Sequence, residues 1–151
     1  MFQNLLVAYD GSRGSKTALK HAIMMARVLP ARITALWVRP MAHHFDLPAQ
    51  FDDEDGAHAR HFRLLREDVR CVAEADGIEI RCVSRAGHPA KTIVHFAERE
   101  DCDLIVLGES GHSAFWGRLL GDIADRVADC AHCNVLIVKS GPNMSETSPQ
   151  K

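Results

Sequence analysis

Residues 104–138 read LIVLGESGHSAFWGRLLGDIADRVADCAHCNVLIV. An apolar run, Leu104 to Leu107, enters a loop punctuated by glycine. A stretch with helical repeat follows from about Asp122 to Cys130, and a second β-branched run covers Val135 to Lys139. Short runs without polar alternation fit strands buried on both faces, so the segment predicts strand, loop, helix, strand, with the two strands in a parallel sheet. Gly108, Gly111 and Gly121 fall at G-x2-G-x9-G. Glycines directly after a strand let backbone N–H groups approach an anion with no Cβ in the way. A helix opening at Gly121 would aim its positive end at the same place. This spacing predicts a phosphate-bearing ligand, a nucleotide, beyond the carboxyl ends of the strands.

The same alternation extends backward through the chain. Asn4 to Ala8 (NLLVA) is an apolar run ending at Tyr9-Asp10-Gly11-Ser12, where Asp10 and Ser12 are both good helix N-caps. Ala18, Ala22, Met25, Ala26 and Leu29 recur at helical spacing over Ser15–Leu29, and Pro30 stops that helix. Arg32 to Val38 is a second strand. Met41 to Asp55, with a histidine pair and an acidic cluster, reads as a surface loop. A helix from Gly56 to about Ala75 carries Phe62, Leu65, Val69 and Val72 on one stripe and ends at Gly77. Ile78 to Val83 alternates like a strand, and Pro89 opens a helix carrying Ile93, Phe96 and Ala97 inward. Five strands alternating with four helices predict an α/β fold, a single open parallel sheet covered on both faces. Its ligand crevice belongs at the topological switch point, beside the ends of the first and fourth strands. The domain is expected over residues 1–140, with 141–151 (GPNMSETSPQK) a loose tail.

Composition narrows the class of partner. A chain of 151 residues with net charge −2 is one domain with no electrostatic footprint for nucleic acid or anionic membrane. No apolar run reaches the roughly 20 residues a bilayer span needs. The start, MFQNLLVAYDGS, has no basic region of a signal peptide, and five cysteines without framework spacing suit a reducing compartment, so a cytoplasmic location is expected. There is no G-x-S-x-G elbow and no P-loop lysine, which favours a binding protein over an enzyme.

Over about Met1 to Lys139 the chain resembles the universal stress protein family. NLLVAYDGS, ALWVRP, GHPAKTIVHFAERE and the 104–138 segment carry the resemblance. The family's nucleotide pattern is G-x2-G-x9-G followed by Ser or Thr, and Gly108, Gly111 and Gly121 match it. The resemblance implies a Rossmann-like sheet with strand order 3-2-1-4-5. It implies ATP or AMP as ligand, with adenine near Ala8, Tyr9, Asp10 and Val38, ribose facing Asp10, Leu107 and Gly108, and phosphates meeting Gly111, His112, Gly121, Asp122 and Ile123. It further implies a homodimer through the last strand, Val135, Leu136, Ile137, Val138 and Lys139, and a regulatory role in stress response through a protein partner. A five-residue edge of such composition is an aggregation liability unless paired.

Asp122 departs from the pattern. A hydroxyl donates to phosphate, whereas an ionised carboxylate only accepts. At about 4 Å and an effective dielectric near 20 the repulsion is roughly 4 kcal/mol, on the order of a thousandfold in affinity. One reading makes Asp122 a helix-start residue that complements the dipole. A second has Mg²⁺ bridge it, with Asp10 as a further ligand, to a phosphate. In a third the ligand is AMP, which leaves the outer position empty. Functionally, the alternatives are a dimeric interaction module without nucleotide and a slow Mg²⁺-dependent ATPase. Elsewhere, Cys130-x2-Cys133 with His132 lacks the second pair a zinc site requires. His43, His44, His58 and His61 read as a solvated loop and helix face, and Phe115 and Trp116 as packing, a lid or a partner contact.

Overall fold

A computed structural model of the chain describes residues 1–39, 41, 54–109 and 121–141. Among these, nine elements follow in order: β1 (Asn4–Ala8), α1 (Arg13–Val28), β2 (Arg32–Arg39), α2 (Glu54–Asp76), β3 (Ile80–Ala86), α3 (Pro89–Arg99), β4 (Leu104–Gly108), α4 (Asp122–Cys130) and β5 (Asn134–Val138). The strands form one parallel sheet in the order β3-β2-β1-β4-β5. The chain therefore builds outward to β3, then crosses to the other side of β1 for β4 and β5. That reversal, between β1 and β4, is the switch point.

Alternation along each strand explains the layers. Leu5 and Val7 of β1 and Leu104 and Val106 of β4 point into one core with Ala18, Leu19 and Ile23 of α1 and Leu65 and Val69 of α2. Leu6, Ile105 and Leu107 point the other way, against Ile93, Phe96 and Ala97 of α3 and Ala124 and Val127 of α4. Leu5, Leu6, Val7, Ile105 and Val106 are at most 1% exposed, so the two central strands are apolar on both faces, as their unbroken runs predict. Each such leucine or isoleucine contributes about 1.5–3 kcal/mol on burial. The amino ends of the sheet are tied by Asp103, whose carboxylate accepts from the N–H groups of Gln3 at 2.7 Å and Asn4 at 3.1 Å.

Boundaries differ from the sequence reading in instructive places. α1 starts at Arg13, two residues before the helical spacing read from Ser15, with Ser12 as its N-cap, the Ser12 hydroxyl accepting from the Ser15 N–H at 3.3 Å. The third strand begins at Ile80, not Ile78. Gly77 takes a left-handed φ of +65°, and the N–H of Ile78 closes onto the Ala73 carbonyl at 3.0 Å, so both residues are spent ending α2. The last strand runs one residue earlier, which leaves Lys139 just past its end. Among the described residues no helix is long and apolar enough to cross a membrane.

Candidate functional site

A cavity of about 300 Å³ opens at the carboxyl ends of β1, β2 and β4, at the switch point. Of the residues predicted for the ligand, the strand ends bring Ala8, Tyr9, Asp10, Val38, Leu107 and Gly108 to its wall, and the first turn of α4 adds Ile123. Gly121 is buried as the N-cap of α4, and Asp122 is exposed beside it; neither lines the cavity. Gly111 and His112 lie outside the described residues, as do Phe115, Trp116, His43 and His44. The sequence reading missed Trp37, Leu36, Ser12, Ser15, Glu109 and, from α3, Pro89 and Ile93. Ser12 and Ser15 carried a signal in the D-G-S-x2-S turn; Pro89 and Ile93 reach the cavity only through the packing of α3.

Asp10 is the polar centre. Its Oδ1 accepts from the Ser12 N–H at 2.9 Å, and its own N–H donates to the Ser15 hydroxyl at 3.4 Å. Burial pushes its carboxyl up, but the hydrogen bonds from Ser12 and Ser15 outweigh that and hold it below the usual carboxylate range. It is thus an ionised acceptor, and a carboxylate has more lone-pair sites than this turn uses. Tyr9 is buried, and its phenol is pushed up to about 12 by burial, with Asp68 and Asp10 adding to the shift. It stays neutral at physiological pH. Apart from Ser12, Ser15 and Glu109, the remaining wall is apolar, with Ala8, Leu36, Trp37, Val38, Ile93 and Leu107 on it. Such a surface suits a flat ring seated against aliphatic and indole carbons, with hydroxyl groups offered to Asp10. The charged groups on the described wall, Asp10 and Glu109, are both acidic. No group of three or more His, Cys, Asp or Glu residues that could hold a metal occurs among the described residues, so a Mg²⁺ at Asp10 and Asp122 would need phosphate oxygens to complete its shell.

Gly108 has a different reason for being glycine than the one its spacing suggested. A Cβ there would lie 2.2 Å from the backbone carbon and oxygen of Gly14, and a Cβ on Gly14 would lie 2.5 Å from the carbonyl oxygen of Glu109. The first turn of α1 rests directly on the end of β4, main chain against main chain. The first glycine of the pattern is a packing requirement before it is a ligand requirement.

Of the α2 histidines, His61 is exposed, as a solvated face requires, while His58 is half-buried. Trp37 stacks with Phe62 at a centroid distance of 6.0 Å and meets His61 at 4.9 Å and His58 at 6.2 Å, while His58 Nδ1 is buried without a hydrogen-bond partner. They pack on the indole of Trp37 on the α2 side of the sheet. Cys130 is exposed and Cys133 half-buried just ahead of β5, where burial pushes its thiol up and away from reactivity.

Comparison with known proteins agrees with this geometry. The model of the universal stress protein family matches residues 1–139. The chain is 36% identical to universal stress protein MJ0531 of Methanocaldococcus jannaschii, over 92% of this chain and 83% of that protein. It superposes on the universal stress protein UspA from Lactobacillus plantarum with a TM-score of 0.74 at 28% identity, covering 91% of this chain and 97% of that one. A universal stress protein solved in complex with cAMP gives a TM-score of 0.67 at 26% identity, with 91% and 97% covered. With its sheet order, its cavity at the switch point and this match along nearly the whole sequence, the chain belongs to the universal stress protein family.

Proposed function

We propose that this protein binds an adenine nucleotide at the cavity over β1, β2 and β4 and acts in the cytoplasm as a regulatory protein of the stress response. The observation that carries the reading is the wall itself: a largely apolar slot at the strand ends in which the Asp10 carboxylate is set by its own turn, with Glu109 also on the wall. The adenine packs against Ala8, Val38 and Trp37, and a ribose hydroxyl donates to Asp10. Phosphates extend toward the opening of α4 and residues 111–112. That a relative of 26% identity is solved with cAMP supports a ligand carrying a single phosphate. Glu109 on the wall and Asp122 beside α4 favour AMP-like ligands over ATP, since each further phosphate adds negative charge near a carboxylate. In the slow-ATPase alternative, Asp10 and Asp122 would help hold a Mg²⁺, which would supply charge neutralisation for the phosphates. Two copies pair through β5, whose Val135, Leu136 and Ile137 are half-buried on the outer strand of the sheet. The domain spans 1–140, with 141–151 as its tail.

The same acidic residues favour a second reading, a dimeric interaction module that binds no nucleotide. Tryptophan emission in a Trp116→Phe background, which leaves Trp37 as reporter, separates the two. Quenching that saturates with AMP, and an Asp10→Ala variant weakened at least about tenfold through loss of a charged hydrogen bond, supports the first. No change with AMP, ADP, ATP or cAMP at millimolar concentration, and no nucleotide released on denaturation, leaves the second.

A further inference from the structure

The sheet has two outer strands, and they differ in chemistry. On β3 the alternation places Ile80 and Cys82 toward the α2 side and Val83 toward the α3 side. Arg81 and Arg85, two residues either way from Val83, therefore share the α3 face. Arg81 meets Glu100 at 2.7 Å, and the Arg85 guanidinium lies 5.6 Å from the centroid of the Phe96 ring. The cleft between β3 and α3, about 410 Å³, is lined by Arg85, Lys91, His95 and Arg99 with Glu100 as its one acid. Glu100 is already engaged by Arg81, while Lys91 and Arg99 have no ion-pair partner among the described residues. A chain with net charge −2 thus gathers Arg81, Arg85, Lys91 and Arg99 around the single acid Glu100, beside an edge that pairs on one side only, with β2.

We propose that this edge docks an extended acidic peptide segment of a partner protein, which adds to β3 as a further strand. An outer strand offers N–H and C=O groups to a segment laid beside it, and side chains at alternate positions supply selectivity. Arg81 and Arg85 stand four residues apart, about 13 Å at the rise of a strand. A partner strand with Asp or Glu at alternate positions repeats that spacing and presents its carboxylates to the Arg81, Arg85 and Lys91 face. A second copy of this chain is a poor occupant. Antiparallel pairing of two β3 strands about Val83 would set Arg81 opposite Arg85 twice, and like charges directly opposite destabilise a strand pair. The cations that keep the edge from pairing with itself also define what it accepts. This surface is separate from the cavity at the strand ends, and the docking stands or falls independently of nucleotide.

The test uses the full chain and fluorescein-labelled seven-residue peptides, with binding read by anisotropy. The probe has glutamate at alternate positions and threonine between them. A second peptide keeps the glutamates but carries N-methyl groups on alternate amides, so that it keeps the charge and cannot pair with an edge. The glutamate peptide is expected to bind, with Arg85→Glu and Lys91→Glu each weakening it at least about tenfold through charge reversal. The N-methylated peptide is expected to bind at least about tenfold more weakly, and amide resonances of residues 81–86 are expected to shift with the first peptide alone. Lys91→Glu lies on an exposed helix surface, so its result stands even if Arg85→Glu disturbs packing on Phe96. Equal binding of the two peptides, or displacement of the probe by inorganic tripolyphosphate at equal charge, would make the cleft a small-anion site and overturn the proposal. So would absence of binding at millimolar peptide.

Discussion

Helix α1 meets the cavity with a closed N-terminus, whereas α4 meets it with one that has no side-chain cap. At α1 the Ser12 hydroxyl accepts from the Ser15 N–H, and Asp10 accepts from Ser12, so a local turn consumes the first donors. At α4 the N-cap is Gly121, which has no side chain to offer, and the first turn carries Asp122 and Asp125 instead. Carboxylates there complement the helix dipole but do not replace a cap's hydrogen bond. The difference divides the labour of the site. The α1 side is a preformed wall fixed by its own sequence; the α4 side has no side-chain cap and carries Asp122 and Asp125, a charge that limits how negative an arriving group can be.

The largest effect tests the fixed side. Gly108→Val and Gly14→Val each drive a side chain into main chain at 2.2 and 2.5 Å, and each is expected to destabilise by more than about 3 kcal/mol in urea denaturation. A loss below 1 kcal/mol would mean that the α1–β4 contact gives way easily. The open side is tested by Asp122→Ser. The reading from sequence alone set the repulsion at roughly 4 kcal/mol. Asp122 is exposed, so solvent screening reduces this to about 1.4 kcal/mol, a tenfold gain for ATP. AMP should change by less than about threefold. Calorimetric titration of both nucleotides, with and without Mg²⁺, checks this; an equal gain for AMP and ATP would remove the outer phosphates from α4. If Mg²⁺ abolishes the difference between wild type and variant, Asp122 holds the metal. Ser12→Ala opens α1 and is expected to lose about 1 kcal/mol of stability, read from the midpoint of the same urea curves.

The smallest effect is silent at neutral pH. Tyr9 titrates near 10 when unfolded and about 12 when folded, so the native state holds its proton longer and stability falls as pH rises from 10 toward 12. Asp10 works oppositely. Its folded carboxyl lies below the usual value of 3.8, so its contribution is complete above that value and disappears as pH falls through the folded one. Thermal unfolding at alkaline pH with Tyr9→Phe isolates the first: the variant should show a shallower alkaline decline, with the part due to the buried Cys102 thiol, raised to about 11, remaining.

The strands were legible because the central ones are buried on both faces, and an apolar run such as Leu5–Val7 or Leu104–Leu107 has few other ways to be satisfied. The ends of elements were less so. Ile78 looks like a strand residue by composition, yet its N–H is taken by the cap of α2. In the site, residues at strand ends could be named from their position after apolar runs. Pro89 and Ile93 could not, since they reach the cavity only when α3 packs across the sheet. Gly14 is the sharpest case: nothing local marks it, and its need for a bare Cα exists only once the Glu109 carbonyl is its neighbour.

That contact has a mechanical consequence. With main chain resting on main chain, the beginning of α1 cannot slide or pivot against β4 without a clash, for there is no side chain between them to change rotamer and absorb the step. A signal that a ligand has entered therefore has no play to exploit on this flank. Any displacement large enough for another molecule to sense would have to come from the other helices on the wall, α3 and α4.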